Sequence, residues 1–298
     1  MNPRYTLRIV AFMARINSSI LAFRVAVAAE EGGDIEAILA AADAPQGIMQ
    51  GNPPYTDLAT ERRIWRAIVE ATGREDIGLV CGQRFPTQAM GILGYVCANA
   101  PTLHVAIEKS CQYARIMGDS MGGHIERGSR QTKVWIEQWT EWHDPLRYTV
   151  DCFVAANVAW ASANAPRPVR PKEIGFHYTR PKDTLAHESA FPTAQVKFET
   201  DVSYQIYDND DLDQPVIGAN LDLFRDFEDR VQAVLSSIDR SQPWSERVRR
   251  SVVSSLKGST PTLQSIASDL AVGARTLQLR LGEEGTSFSE VLTDAREN

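Results

Sequence analysis

The feature that most constrains this chain is a change of hydrophobic period at Gly122-Gly123. Before it, apolar positions recur every three to four residues in Arg15–Glu31, Ile35–Ala42 and Leu58–Ala71, which predicts three helices punctuated by Gly32-Gly33 and Pro53-Pro54. Met90–Asn99 and Thr102–Met117 continue the pattern, with Thr102 placed to cap the second of these after Pro101. The first hundred or so residues therefore read as all-helical. After the change, His124–Arg127 and Lys133–Thr140 alternate, with Val134, Ile136 and Gln138 on one face and Trp135, Glu137 and Trp139 on the other. A β-hairpin turning near Gly128-Ser129 is expected there.

Arg147–Asn164 returns to the helical period, followed by strand candidates Glu173–Tyr178, Gln195–Glu199 and Ser203–Tyr207 and a helix Leu221–Ile238. Trp65 and Trp160, on helices, are expected in the core. The polar stretch Asp239–Ser245 reads as a linker and sets a domain boundary. The expected architecture is an α+β domain over residues 1–240, helical at first and then carrying small antiparallel β elements, followed by an all-α segment over 241–298. A chain of 298 residues with 43% hydrophobic content is long and apolar enough for such cores and not for disorder.

The net charge of −7 is unevenly spread. Residues 245–298 hold seven basic and seven acidic side chains, so the excess belongs upstream, and 245–280 sets six basic groups against Glu246 and Asp269. That local excess suits phosphates. Asp208–Asp213, with four aspartates in six positions, reads as a solvated acidic turn. The apolar stretch near the N-terminus is cut by Arg15 and Arg24 and no run reaches membrane-spanning length, so neither a signal peptide nor a membrane span is expected. Cys81, Cys97, Cys111 and Cys152 form no CxxC pair and read as reduced structural thiols.

The segment TLQSIASDLAVGARTLQLRLGEE (262–284) carries a functional pattern. Ile266 and Leu270 lie one turn apart, Ala267 is small where a second helix must cross, Ala271-Val272-Gly273 makes a short turn, and Leu277 and Leu281 face back from the second helix. This is helix-turn-helix spacing, which holds the second helix so that its outward residues can enter a major groove. Arg275, Gln278 and Leu279 occupy i, i+3 and i+4 of that outward face. Arg and Gln bond guanine and adenine edges bidentately. The bland alternative is a helical hairpin with Arg275 and Gln278 merely solvated.

The run STPTL (259–263), the core AVGARTLQ and the tail EEGTSF (283–288) together resemble the DNA-binding domain of AraC/XylS-type transcriptional regulators. Upstream, GLVCGQRFPTQAMGILGYVCANAPTLHVAIE (78–108) and FPTAQVKFETDVSYQIYDNDDLDQPV (191–216) resemble the arabinose-binding-type sensor domain of one branch of that family. The resemblance implies a cytoplasmic, ligand-responsive regulator whose partners are double-stranded DNA, a small-molecule effector and a second copy of itself. It implies base contacts by Arg275 and Gln278, with Thr276 and Arg280 nearer the backbone. Two departures stand out. Leu279 occupies the first arginine position of the family's RTLQRRL, and the chain stops at Arg296-Glu297-Asn298, early in what resembles the helix joining two such modules. A chain with the first module alone is expected to bind DNA non-specifically at about 10⁻⁴ M or weaker unless it dimerises. The alternative is a sensor that modulates a full-length regulator without touching operators.

Tyr113, Arg115, Trp135 and Trp139 are the candidates for an effector pocket, against core packing as the alternative. Gly118-Asp119-Ser120-Met121-Gly122 matches the G-x-S-x-G of serine hydrolases, but a nucleophile elbow needs a strand before the serine and a helix after it, the reverse of the pattern here. No enzyme activity is expected. The histidines lack HxxxH or HExxH spacing, Glu141-Trp142-His143-Asp144 reads as a charged loop, and no phosphate-binding glycine fingerprint occurs, so no metal, nucleotide or other cofactor is implied.

Overall fold

Arg15, expected to open a helix, lies instead in a strand. In the computed structural model, which describes residues 15–119, 121–138, 147–256 and 261–297, β1 (Arg15–Asn17) pairs antiparallel with β2 (Tyr55–Asp57), Ile16 opposite Thr56. The first hundred residues are therefore not all-helical. A three-residue strand is too short to impose a period on the sequence. α1 (Ser18–Glu30) follows, its N-terminus capped by the Asn17 side chain accepting from the Ser19 N–H. Asp34 and Asp57 cap α2 (Ile35–Ala41) and α3 (Leu58–Thr72) in the same way.

α4 (Ile77–Gln83), α5 (Ile92–Asn99) and α6 (Leu103–Gln112) complete the helical part. Thr102 accepts from the Val105 N–H at 3.3 Å, the expected cap. α6 stops at Gln112 rather than Met117, and a 3-10 turn over Ala114–Ile116 carries the chain on. β3 (Met121–Arg127) and β4 (Gln131–Gln138) form the expected hairpin, closed by the Gly128 N–H on the Gln131 carbonyl at 2.8 Å.

α7 (Arg147–Ala163) leads to β5 (Glu173–Gly175), α8 (Leu185–Ala190), β6 (Gln195–Lys197), β7 (Tyr204–Asp208) and α9 (Asn209–Leu212). The sheet order is β3-β4-β7-β5-β6. Every pairing is antiparallel except β5 with β6, which is parallel. That corrects the expectation of purely antiparallel elements, and the reason is α8, which the periodicity does not reveal: a crossover between the two strands returns the chain in the same direction. Asp208–Asp213 is no free acidic turn. Asp208 pairs with Lys172 at 2.8 Å, and both carboxylate oxygens of Asp213 accept from Arg127 at 2.7 Å.

The core of this first unit, which runs up to Gln232, gathers Leu21, Val25, Ile64, Trp65 and Ile68 with Ile77 and Cys81. Trp160 is only half-buried, its indole N–H donating to Thr87 Oγ1 at 3.1 Å. α4 and α7 touch along backbone. A Cβ on Gly82 would sit 2.4 Å from the Cys152 carbonyl oxygen, so only glycine permits this approach. Inside the core, Arg24 Nη1 reaches Glu61 Oε1 at 2.5 Å, with the guanidinium 4.7 Å above the Trp65 ring. Thr149 donates to the same Glu61 oxygen at 3.0 Å and accepts from the Trp65 indole at 2.7 Å.

The second unit begins at Ala233, within α10 (Leu221–Ser241). The stretch expected to be a linker is largely helical: the break is confined to Gln242-Pro243, where proline lacks the N–H that would continue the helix. α11 (Trp244–Leu256), α12 (Leu263–Asp269), α13 (Ala274–Glu283) and α14 (Phe288–Glu297) then share one core of Val248, Val252, Ile266, Leu277, Leu281 and Val291. The Glu284 carboxylate accepts from the Trp244 and Ser245 N–H groups at 2.6 and 2.8 Å, a negative charge at the positive end of α11. The Ser287–Glu290 capping box is present: Ser287 N–H donates to Glu290 at 2.8 Å and Glu290 N–H to Ser287 Oγ at 3.3 Å. Among the described residues no helix is long and apolar enough to cross a membrane.

Candidate nucleic-acid interface

α12 starts at Thr262, whose hydroxyl and that of Ser265 satisfy each other's backbone N–H groups in a capping box. It ends in a turn where Ala271 takes a left-handed φ of 55° and the Val272 N–H reaches back to the Ala267 carbonyl at 2.9 Å. Gly273 then opens α13 without a side-chain cap. Ile266, Ala267, Leu277 and Leu281 are all buried between the helices, as the spacing requires. α13 is thus two-faced.

Arg275, Thr276, Gln278, Leu279 and Arg280 are all exposed on it. Among the described residues Arg275 and Gln278 have no hydrogen-bond or ion-pair partner. Arg280 is different, since its Nη1 lies 3.0 Å from Glu283 Oε2. Further back, Arg249 makes two hydrogen bonds to Glu246, and Arg247 lies 3.8 Å over the Trp244 ring. Of the described members of that positive excess, Arg247, Arg249 and Arg280 are engaged, and Arg275 is the uncommitted one on α13.

Three of the four effector candidates fall among the described residues, each with a partner of its own. Tyr113 is buried, and its hydroxyl donates to Glu228 Oε1 at 2.7 Å while Lys109 reaches the same oxygen at 2.5 Å. Burial works against the Glu228 charge, yet the hydrogen bonds from Lys109 and Tyr113 hold its carboxyl below the usual range. Arg115 Nε lies 3.7 Å from Asp119. Trp135 sits on β4, stacked on His124 with ring centroids 5.1 Å apart. Trp139 and Ser120 lie outside the described residues. The segments flanking Ser120 are a 3-10 turn and a strand, not the strand and helix of a nucleophile elbow.

One polar cluster has no signature in the sequence. Tyr178 donates to Asp151, His187 Nε2 lies 3.0 Å from the Tyr178 oxygen and 3.4 Å from Asp151 Oδ1, and Phe176 and Phe198 wall it in. Burial, then the neighbouring Asp151 carboxylate, pushes the Tyr178 hydroxyl far up. The three residues come from α7, the loop after β5 and α8, so nothing in their sequence separation joins them. The cysteines are free thiols, and burial pushes Cys97 and Cys111 up to about 12, which keeps them protonated and inert at neutral pH.

Residues 32–216 match the arabinose-binding domain of AraC transcription regulators, N-terminal. The ornithine utilization regulator of Pseudomonas aeruginosa is 25% identical over 224 residues, a match covering 75% of this chain and 66% of that protein, so the chain spans slightly under two thirds of that relative's length. The crystal structure of the transcriptional regulator CdpR from Pseudomonas aeruginosa aligns over 79% of this chain and 76% of that one, with 21% identity and a TM-score of 0.47. These relatives are transcriptional regulators and not enzymes. With well over half of its length matched, the chain belongs to the AraC-type transcription regulators that carry an arabinose-binding N-terminal domain.

Proposed function

We propose that the chain is a ligand-responsive regulator that binds operator DNA through α13, with the region up to about residue 240 sensing a small-molecule effector and self-associating. The observation that supports this is the two-faced α13. Leu277 and Leu281 are fully buried, while Arg275 and Gln278 stand exposed and uncommitted on the other side. Buried on one face against α12 and free on the other, such a helix is presented as a recognition helix must be. Arg275 and Gln278 read base edges, each good bidentate pair contributing about 1–3 kcal/mol of discrimination. Thr276 and Arg280 lie nearer the phosphates, and Arg280 exchanges Glu283 for one. Effector binding shifts the arrangement of the DNA-binding segments by holding one state more tightly than the other.

The test is fluorescence anisotropy of the full chain on its own upstream DNA and on scrambled DNA, across a salt series. L-ornithine is the first effector to add, on the strength of the ornithine utilization regulator's likeness. The expected result is tighter binding to the upstream DNA, with Gln278→Ala relaxing discrimination at one base pair. Equal, weak binding to both DNAs that moderate salt abolishes overturns operator recognition by α13.

A further inference from the structure

At the centre of the outward face of α13 stands a leucine. At about 100° per residue, Leu279 lies about 200° round the helix from Leu277 and about 160° from Leu281, directly opposite the buried stripe. The residue is 61% exposed, against 0% for both buried leucines. Arg275 precedes it by one turn and Gln278 adjoins it, so any surface that this face of α13 enters meets Leu279 beside these polar side chains. Among the described residues, Leu279 and Val234 on α10 are the large apolar side chains left exposed in this second unit.

We infer that Leu279 is a specificity-determining residue that reads the 5-methyl group of thymine in the major groove. This rests on the reading of α13 as a recognition helix. In that groove every base pair offers hydrogen-bonding groups, which a leucine cannot use, and only thymine adds an apolar one. A leucine at the centre of the face therefore favours T·A at the base pair beneath it, and disfavours any pair that would leave a polar edge desolvated against the side chain. An arginine at this position would instead seek a guanine edge or a phosphate, so the leucine changes which base is read as well as lowering the positive charge of the face.

The experiment selects preferred duplexes from a randomised library with the full chain, then replaces each thymine of the selected site by deoxyuridine, which removes only the methyl group. One such replacement is expected to weaken binding about fourfold, the worth of one methyl taken out of water. In Leu279→Ala, which is exposed enough to leave the fold intact, thymine and deoxyuridine sites are expected to bind equally, while Leu279→Arg moves the preference at that position toward guanine. Neutral replacement at every thymine, or a methyl effect that survives in Leu279→Ala, overturns the assignment. A changed oligomeric state by light scattering with no methyl effect overturns it too, making Leu279 a protein contact. A library yielding no preferred sequence overturns the reading of α13 itself.

Discussion

Replacing Glu61 by Ala strands a charge in the core. Arg24 is only 5% exposed at its side chain and Glu61 not at all, and the carboxylate is the ion-pair partner of that guanidinium. Burial works against the Arg24 charge, but the opposing influences, the field of Glu61 foremost, hold the guanidinium's pKa above its ordinary value. Removing the carboxylate leaves a buried cation that does not neutralise, at a cost of about 3–5 kcal/mol. Thr149, which donates to the same oxygen at 3.0 Å, loses its acceptor as well. Against a domain stability of about 5–15 kcal/mol this is a large share. With a urea slope of about 2 kcal/mol/M, a loss of about 4 kcal/mol lowers the midpoint by about 2 M. Tryptophan fluorescence is the natural assay, because the indole of Trp65 lies beneath Arg24 and bonds to Thr149. The paired replacement Arg24→Met with Glu61→Leu, apolar and of similar volume, is expected to recover most of the loss. If Glu61→Ala shifts stability by less than about 1 kcal/mol, or the double variant is no better than the single one, the pair is not what this reasoning takes it to be.

Gly82→Ala forces α4 away from α7, since the new methyl would meet the Cys152 oxygen at 2.4 Å and the Ala155 methyl at 2.6 Å; thermal unfolding should show a loss of about 1–3 kcal/mol. Thr102→Ala removes the α6 cap and should cost about 1 kcal/mol in chemical denaturation, with Thr102→Ser recovering most of it. The Lys197 hydrogen bond, and then that of Tyr204, hold the Glu173 carboxyl below its ordinary value of 4.5. A depressed carboxylate adds stability above that value and loses it as pH falls through the folded pKa, so Glu173→Gln should flatten the acid limb of a urea-midpoint profile and leave the limb above neutrality unchanged.

Elements long enough to repeat their own period were readable without coordinates. α3, α7 and the β3–β4 hairpin stand close to where their apolar spacing puts them, and Thr102 and Ser287–Glu290 act as the caps their residue types promise. The same holds for α12 and α13, where alternating buried and exposed positions are written within ten residues of each other. Short elements escaped. β1, β2 and α8 contain too few residues for a period, and each exists because a distant partner completes its hydrogen bonds or covers its apolar side.

Sequence by itself determined the class of the chain, the two-faced character of α13 and the identity of the side chains it exposes, because helical amphipathicity is local and set by neighbours three and four positions away. Only tertiary structure decided which polar side chains of distant segments meet. That Tyr113 spends its hydroxyl on Glu228 and that Arg24 and Glu61 meet inside a hydrophobic core follow from contacts between residues far apart in the chain. Charge and burial belong to those contacts, and no spacing rule along the sequence encodes them.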